Sequence, residues 1–259
     1  GDNIVLGDNG RIDFTRRDRV NSGALAADQG EVIAVTATIE SLSPTEFGGA
    51  DQITSGAGSD IMIGGRYGDT MTDLGGSNIL LGDSVVLVAA SRVTSPHTPL
   101  RSLAFARISS ISDSPEDASD TIWSDGDNDL VIGGTGADSI YTGSGTDIVF
   151  GDEVDVWTDS DQLIDITIDA FRATRAARFS LRSDNQYSRS CDDWIDSGKN
   201  DDMVFGQQGF DRLFGGAGND LIYGGMGNDL ISGDGGDDLV LGGEGDDELR
   251  GGSGNDTID

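Results

Sequence analysis

Seven aspartates stand nine residues apart at the end of the chain: Asp202, Asp211, Asp220, Asp229, Asp238, Asp247 and Asp256. Each is the sixth residue of a nonapeptide. The nonapeptides run without a gap from 197 to 259 as SGKNDDMVF, GQQGFDRLF, GGAGNDLIY, GGMGNDLIS, GDGGDDLVL, GGEGDDELR and GGSGNDTID. A carboxylate is a hard oxygen donor. A turn of glycines, which reach φ > 0 without a Cβ clash, exposes backbone carbonyls as further oxygens. Together these suit a hard divalent cation that takes six to eight oxygens at about 2.3–2.6 Å. The eighth place is aliphatic in every unit: Val204, Leu213, Ile222, Ile231, Val240, Leu249 and Ile258. Such a side chain points inward from a short strand and stacks on its copy in the next coil. A disordered acidic glycine-rich tail has no reason to keep that place apolar.

The units resemble the G-G-x-G-x-D-x-U-x nonapeptide of RTX, or hemolysin-type calcium-binding, proteins. The resemblance implies an all-β fold, a right-handed parallel β-roll in which two nonapeptides complete one coil of about 18 residues. It also implies calcium between loops one coil apart, held by the sixth-place carboxylate and by carbonyls of the glycine-rich loop. The setting it implies is extracellular, secreted or at the cell surface, by type I secretion.

The same phase continues towards the N-terminus with interruptions. Residues 55–81 hold SGAGSDIMI, GGRYGDTMT and DLGGSNILL, and residues 124–150 hold SDGDNDLVI, GGTGADSIY and TGSGTDIVF. The repeat stops at Gly7-Asp8, Gly82-Asp83 and Gly151-Asp152, and resumes just before Asp51, Asp120 and Asp193. The economical reading is one loop split in its middle three times, around insertions of roughly 10–48, 85–117 and 154–190, with an uninterrupted roll over 191–259. Three intact loops separate successive splits, so with two loops per coil all three insertions leave one edge. They are then two coils apart, roughly 9.6 Å at a strand spacing of about 4.8 Å.

The insertions read as β-hairpins. The outgoing strands are expected at Arg11–Phe14, Val85–Val88 and Val154–Trp157. The returning ones are expected at Val32–Ile39, at Leu103–Ile108 and around Ile164, Ile166 and Ile168. Phe171 to Leu181 also has helix-favouring alanine and arginine. A hairpin is two strands wide, again roughly 9.6 Å, so neighbouring hairpins match the spacing needed to pair edge to edge into a second sheet beside the roll. Twelve of the 16 cationic residues lie in or beside these insertions, against four in the roll: Arg66, Lys199, Arg212 and Arg250.

Assigning loops alternately to two edges gives the candidate metal ligands. The split-loop edge carries Asp51, Asp69, Asp120, Asp138, Asp193, Asp211, Asp229 and Asp247. The other carries Asp60, Asn78, Asp129, Asp147, Asp202, Asp220, Asp238 and Asp256. Asn78 keeps an oxygen but not the charge, and its site is expected to be weak or empty. Tyr67 occupies a glycine place. The run from Gly206 to Asp256 follows the pattern best, with candidate glycines Gly206, Gly215, Gly216, Gly218, Gly224, Gly225, Gly227, Gly233, Gly236, Gly242, Gly243 and Gly245. Affinities of about 10⁻⁴–10⁻³ M, those of extracellular calcium modules, leave such a chain open in a low-calcium cytosol and folded outside.

Composition narrows the function. The 259 residues include 40 Gly and carry a formal net charge of −31, which repels nucleic acid and opposes compaction. Bound cations relieve that repulsion, so folding on calcium binding is expected. Cys191 is the sole cysteine and cannot make an intrachain disulfide. No apolar run reaches the roughly 18 residues of a membrane span. Gly1 falls mid-repeat and Asp259 closes one, which reads as a segment of a longer array.

No catalytic set is visible. The one histidine, His97, lies between Pro96 and Thr98 in an insertion tip. Neither a zincin H-E-x-x-H nor a G-x-S-x-G elbow occurs. Acidic neighbours Asp192 and Asp193 suppress the Cys191 thiolate. The expectation is therefore a non-enzymatic structural or adhesive segment of a cell-surface or filament-forming protein. Its partners would be calcium, copies of itself or surface polysaccharide. Two other parents fit the repeat: a folding and secretion module on a hydrolase or polysaccharide-modifying enzyme, and the repeat region of a toxin. Regular insertions favour the first.

Overall fold

The computed structural model describes residues 4–7, 10–14, 37–41, 49–89, 105–110, 119–158, 177–181 and 191–259. In the repeats, the six glycine- and aspartate-rich residues of each unit turn the chain, and the strand begins directly after the sixth place. Successive strands fall alternately into two parallel sheets, giving a β-solenoid of about eight turns. The front sheet has nine strands: Ile4–Leu6, Ile61–Gly65, Ile79–Asp83, Leu130–Gly134, Ile148–Asp152, Met203–Gln208, Leu221–Met226, Leu239–Glu244 and Thr257–Ile258. The rear sheet has eight: Gln52–Thr54, Thr70–Thr72, Thr121–Trp123, Ser139–Tyr141, Trp194–Asp196, Arg212–Ala217, Leu230–Gly235 and Glu248–Ser253. Partners inside an uninterrupted stretch are one coil apart in sequence, as Leu221 with Leu239. The register also passes across the insertions, with Ile79 opposite Leu130 and Ile148 opposite Met203.

The eighth-place side chains of both sheets point into the roll and form its core. Met62, Met71, Leu80, Ile122, Val131, Ile140, Val149, Ile195, Val204, Leu213, Ile222, Ile231 and Val240 are all buried there. Each lies on its copy in the next coil, as Met71, Ile122 and Ile140 do. Full burial of one such side chain contributes about 1.5–3 kcal/mol.

A third sheet is antiparallel, with six strands in the order Ala177–Leu181, Val154–Thr158, Phe105–Ser110, Val85–Ala89, Ala37–Ser41 and Gly10–Phe14. Strands from neighbouring insertions pair directly, Thr38 with Val88 and Asp155 with Ser109. The sheet lies over the outer face of the front sheet rather than beside the roll. Its Val85, Leu87, Ile108 and Val154 share one buried cluster with Ile63, Leu81, Ile132, Phe150 and Phe205 of the front strands. This explains why the seventh and ninth places of the front strands are apolar here while those of the rear strands include Thr, Ser and Gln.

Some strand positions differ from the sequence reading. The helical option for Phe171 to Leu181 fails over Ala177–Leu181, which pairs with Val154–Thr158 as a strand; sheet pairing outweighs a helix propensity of a few tenths of a kcal/mol per residue. Returning strands sit at Ala37–Ser41 and Phe105–Ser110, a few residues later than expected. Val32 to Thr36, Ile164 to Ile168 and the turns expected to close each hairpin lie outside the described residues. Among the described residues no helix is long and apolar enough to cross a membrane.

Candidate metal centres

The sixth-place residues line up along the two edges as two continuous ladders. On the insertion edge, each Oδ1 accepts a hydrogen bond from the backbone N–H of the sixth-place residue one coil before. Asp120 donates to Asp138, Asp138 to Asp193 and Asp193 to Asp211 at 2.8 Å each, and Asp211 to Asp229 and Asp229 to Asp247 at 2.9 Å. The ladder begins with Asp51 donating to Asp69 and Asp69 to Asp120, at 2.6 Å each. On the opposite edge it runs from Asp60 through Asn78, Asp129, Asp147, Asp202, Asp220 and Asp238 to Asp256, at 2.8–3.1 Å. All the expected sixth-place residues are thus brought into two rows, on the edges to which the alternation assigned them.

The second carboxylate oxygen is differently placed. Oδ2 of Asp120, Asp138, Asp147, Asp193, Asp202, Asp211, Asp229 and Asp238 is buried and has no hydrogen-bond partner. A buried anionic oxygen left so is costly unless a cation or proton meets it. The first-place glycines define where these oxygens point. A Cβ on Gly224 would overlap both Asp229 Oδ2 and the carbonyl oxygen of Gly242, one coil on. The other expected first-place glycines bear the same relation to their own carboxylate: Gly206 to Asp211, Gly215 to Asp220, Gly233 to Asp238 and Gly242 to Asp247. At the fourth place, Gly227 has φ +137°, and a Cβ there would strike the carbonyl of Gly209. Gly218, Gly236 and Gly245 share that fourth-place conformation, and Gly216, Gly225 and Gly243 have positive φ at the second place. Carboxylate and carbonyl oxygens therefore converge between consecutive loops, as a hard cation requires. Among the described residues no three His, Cys, Asp or Glu side chains gather as a metal cluster, so most ligands would be backbone carbonyls.

The split loops are complete loops in space. Gly7 meets Asp51, Gly82 meets Asp120 and Gly151 meets Asp193 in the geometry of Gly206 with Asp211. The aspartates that follow two of these glycines add charge. Burial is the main cause that pushes Asp120, Asp138 and Asp193 well above the usual carboxylate range, and Asp83 or Asp152 raises each of them further. Burial also raises Asp211 to about 7, Asp129 to about 8, Asp147 to about 7 and Asp202 to about 9. In Asp147 and Asp202 the hydroxyls of Thr142 and Ser197 draw the value partly back. Burial and the neighbouring Asp152 push the Cys191 thiol up, which leaves it without nucleophilic thiolate at neutral pH.

Asn78 behaves as its charge suggests. Its Oδ1 accepts from Asp60 N–H like any ladder member, while Nδ2 donates to Asp73 Oδ2 at 2.8 Å and to Gly76 O and Asp129 Oδ1 at 3.1 Å. Amide hydrogens, which repel a cation, face those oxygens. Sequence reasoning missed the first-place glycines of the earlier coils and the first-place hydroxyls of Ser124, Thr142 and Ser197. The repeat phase already marks both sets, once residues are compared place by place and edge by edge.

Two stacked parallel sheets, wound by loops that aim a carboxylate and carbonyls at the same point, define a calcium-type β-roll. The model of the RTX calcium-binding nonapeptide repeat (4 copies) matches residues 48–71, 123–155, 190–213, 196–231, 205–240 and 232–259. The chain carries several copies of this repeat and belongs to the RTX calcium-binding repeat family, whose repeats bind several calcium ions per region. No curated protein matches it in sequence.

Proposed function

We propose that this chain is a calcium-folded structural segment of a secreted, surface-exposed protein, and that it catalyses no reaction. The observation that carries the calcium part is the orphaned Oδ2 row, held in place by Oδ1 bonds and paired with glycine carbonyls. On this reading Asp51, Asp69, Asp120, Asp138, Asp193, Asp211, Asp229 and Asp247 on one edge hold calcium, with Asp220, Asp238 and Asp256 on the other. The first-, second- and fourth-place glycines from Gly206 to Gly245 contribute carbonyls. Calcium supplies the positive charge that a chain of net charge −31 needs in order to compact.

The antiparallel sheet supports a structural role over a plain secretion module. It adds a second layer to the front face of the roll and carries polar links between insertions. Arg107 on Phe105–Ser110 reaches Asp155 on Val154–Thr158 at 3.5 Å, and Ser109 Oγ bonds the same carboxylate at 2.5 Å. A layered rod with calcium-dependent stiffness suits an adhesin, filament or surface-layer segment that contacts copies of itself or surface polysaccharide. Light scattering of the chain during a calcium titration tests this. Growth in particle mass with calcium, or retention on polysaccharide in calcium alone, is the expected result. A strict monomer that binds no glycan at millimolar calcium contradicts the adhesive reading and favours the secretion module.

A further inference from the structure

The two edges of the roll differ at the first place of the nonapeptide. On the insertion edge that place is glycine in every loop from Gly7 to Gly242, and each of these glycines presses on the loop's sixth-place carboxylate. On the opposite edge it is Ser55, Asp73, Ser124, Thr142 and Ser197 in turn, and glycine only from Gly215 onward. These five side chains are buried. A side chain there fills the point at which, on the glycine edge, carboxylate and next-coil carbonyl oxygens meet.

The polar hydrogens of that stretch are directed at these two kinds of oxygen or at the first-place carboxylate of Asp73. Ser124 Oγ donates to Asp129 Oδ2, and Ser55 Oγ donates to Asp73. Asn78 Nδ2 donates to Asp73 and Asp129. Thr142 Oγ1 donates to the carbonyl of Ser197 at 3.0 Å, and Ser197 Oγ to the carbonyl of Gly215 at 2.9 Å. Each carbonyl accepted is the first-place carbonyl one coil on, the counterpart of Gly242 O beside Asp229. At Asp129 the hydroxyl thus takes the carboxylate oxygen, and beside Asp147 and Asp202 it takes the carbonyl, so each position loses one of the ligands an ion would bridge.

We propose that calcium lines the insertion edge along its length but enters the opposite edge only from Gly215 onward. Between Ser55 and Asp202 buried first-place side chains occupy the opposite edge, and where Oδ2 of Asp147 and of Asp202 has no hydrogen-bond partner a hydroxyl takes the neighbouring carbonyl instead, so this stretch takes no ion. The inference rests on the calcium reading above and removes Asp60, Asp129, Asp147 and Asp202 from the ligands expected from sequence. It makes the roll one-sided up to Asp202: over that stretch only the edge that launches the insertions takes the ion.

Equilibrium dialysis of the full chain against radioactive calcium tests it with two isosteric pairs. Asn78 shows that an asparagine keeps the Oδ1 ladder bond, so both pairs retain their backbone contacts. Asp147→Asn with Asp202→Asn is expected to leave the number of calcium ions bound per chain unchanged. Asp211→Asn with Asp229→Asn is expected to lose bound ions. Equal losses from the two pairs overturn the one-sided arrangement while leaving the calcium reading intact. A wild-type chain that binds no calcium overturns both. A crystal structure of the wild type grown in calcium gives the same decision without variants: ions beside Asp129, Asp147 and Asp202 contradict the proposal, and ions confined to the insertion edge and the coils after Gly215 bear it out.

Discussion

Asp193 shows what one residue does in this molecule. Its N–H donates to Asp211 Oδ1, its Oδ1 accepts from Asp138 N–H, and its Oδ2 is left to a cation or a proton. The choice sets a pH dependence whose sign follows from burial. Asp129 and Asp202 shift from an ordinary 3.8 to about 8 and about 9 in the fold, so folding favours their protonated form. Stability from such groups is full below the ordinary carboxylate pKa and is lost as pH rises through the folded value. In excess chelator the chain should therefore gain β structure as pH is lowered from about 9 to about 4, read by circular dichroism. In calcium the trend should invert, because protons compete with the ion for the oxygens of ligands such as Asp193 and Asp211. A second prediction concerns Tyr67, which takes φ +79° at a fourth place that is glycine in most units. Tyr67→Gly should stabilise the calcium form by about 1 kcal/mol in thermal melts, the strain of a left-handed non-glycine residue. The aspartate spacing was legible in the sequence because a metal-binding loop repeats its charge. The first-place position of Thr142 and Ser197 was also legible, but the role of their hydroxyls was not, because only the fold puts each against a carbonyl one coil away.

At the scale of elements, the nine-residue period decides which side chains meet. The eighth places build the inner core, and the seventh and ninth places face outward. Replacing Val149, buried in the inner row, by Ala should cost about 2–3 kcal/mol of calcium-form stability. Replacing Leu87, buried between the antiparallel and front sheets, by Ser should act differently. Hydrogen exchange should quicken in Val85–Ala89 and Phe105–Ser110 while protection over 203–259 is kept. Loss of protection throughout would show that the antiparallel sheet is part of one folding unit with the roll. The exit points of the insertions were legible from the Gly-Asp pairs that break the phase, and the sheet they form from matching widths. That it covers the front face was not, although apolar pairs such as Leu130 with Ile132 and Ile148 with Phe150 encode a second buried surface. The misplaced helix option arose because Ala and Arg near Phe179 report local propensity, whereas pairing with Val156 decides the outcome.

The whole molecule is an anionic rod of net charge −31 whose core is one side chain wide per sheet. Without compensation, its rows of buried carboxylates oppose compaction, and monovalent salt screens only exposed charges well. Calcium should therefore fold the chain at millimolar concentration where sodium chloride of equal ionic strength does not. The double change of Asp220 and Asp238 to Ala, on one edge, should disorder the coils after Gly215 and leave the earlier ones in place. Unchanged thermal stability in millimolar calcium would count against these two residues as ligands. The most direct measurement is small-angle scattering with far-ultraviolet circular dichroism on the wild-type chain at neutral pH, first in chelator and then through a calcium titration. The account predicts an expanded chain with little β signal that becomes a compact β rod as calcium is added. A chain already compact and fully β in chelator would contradict it.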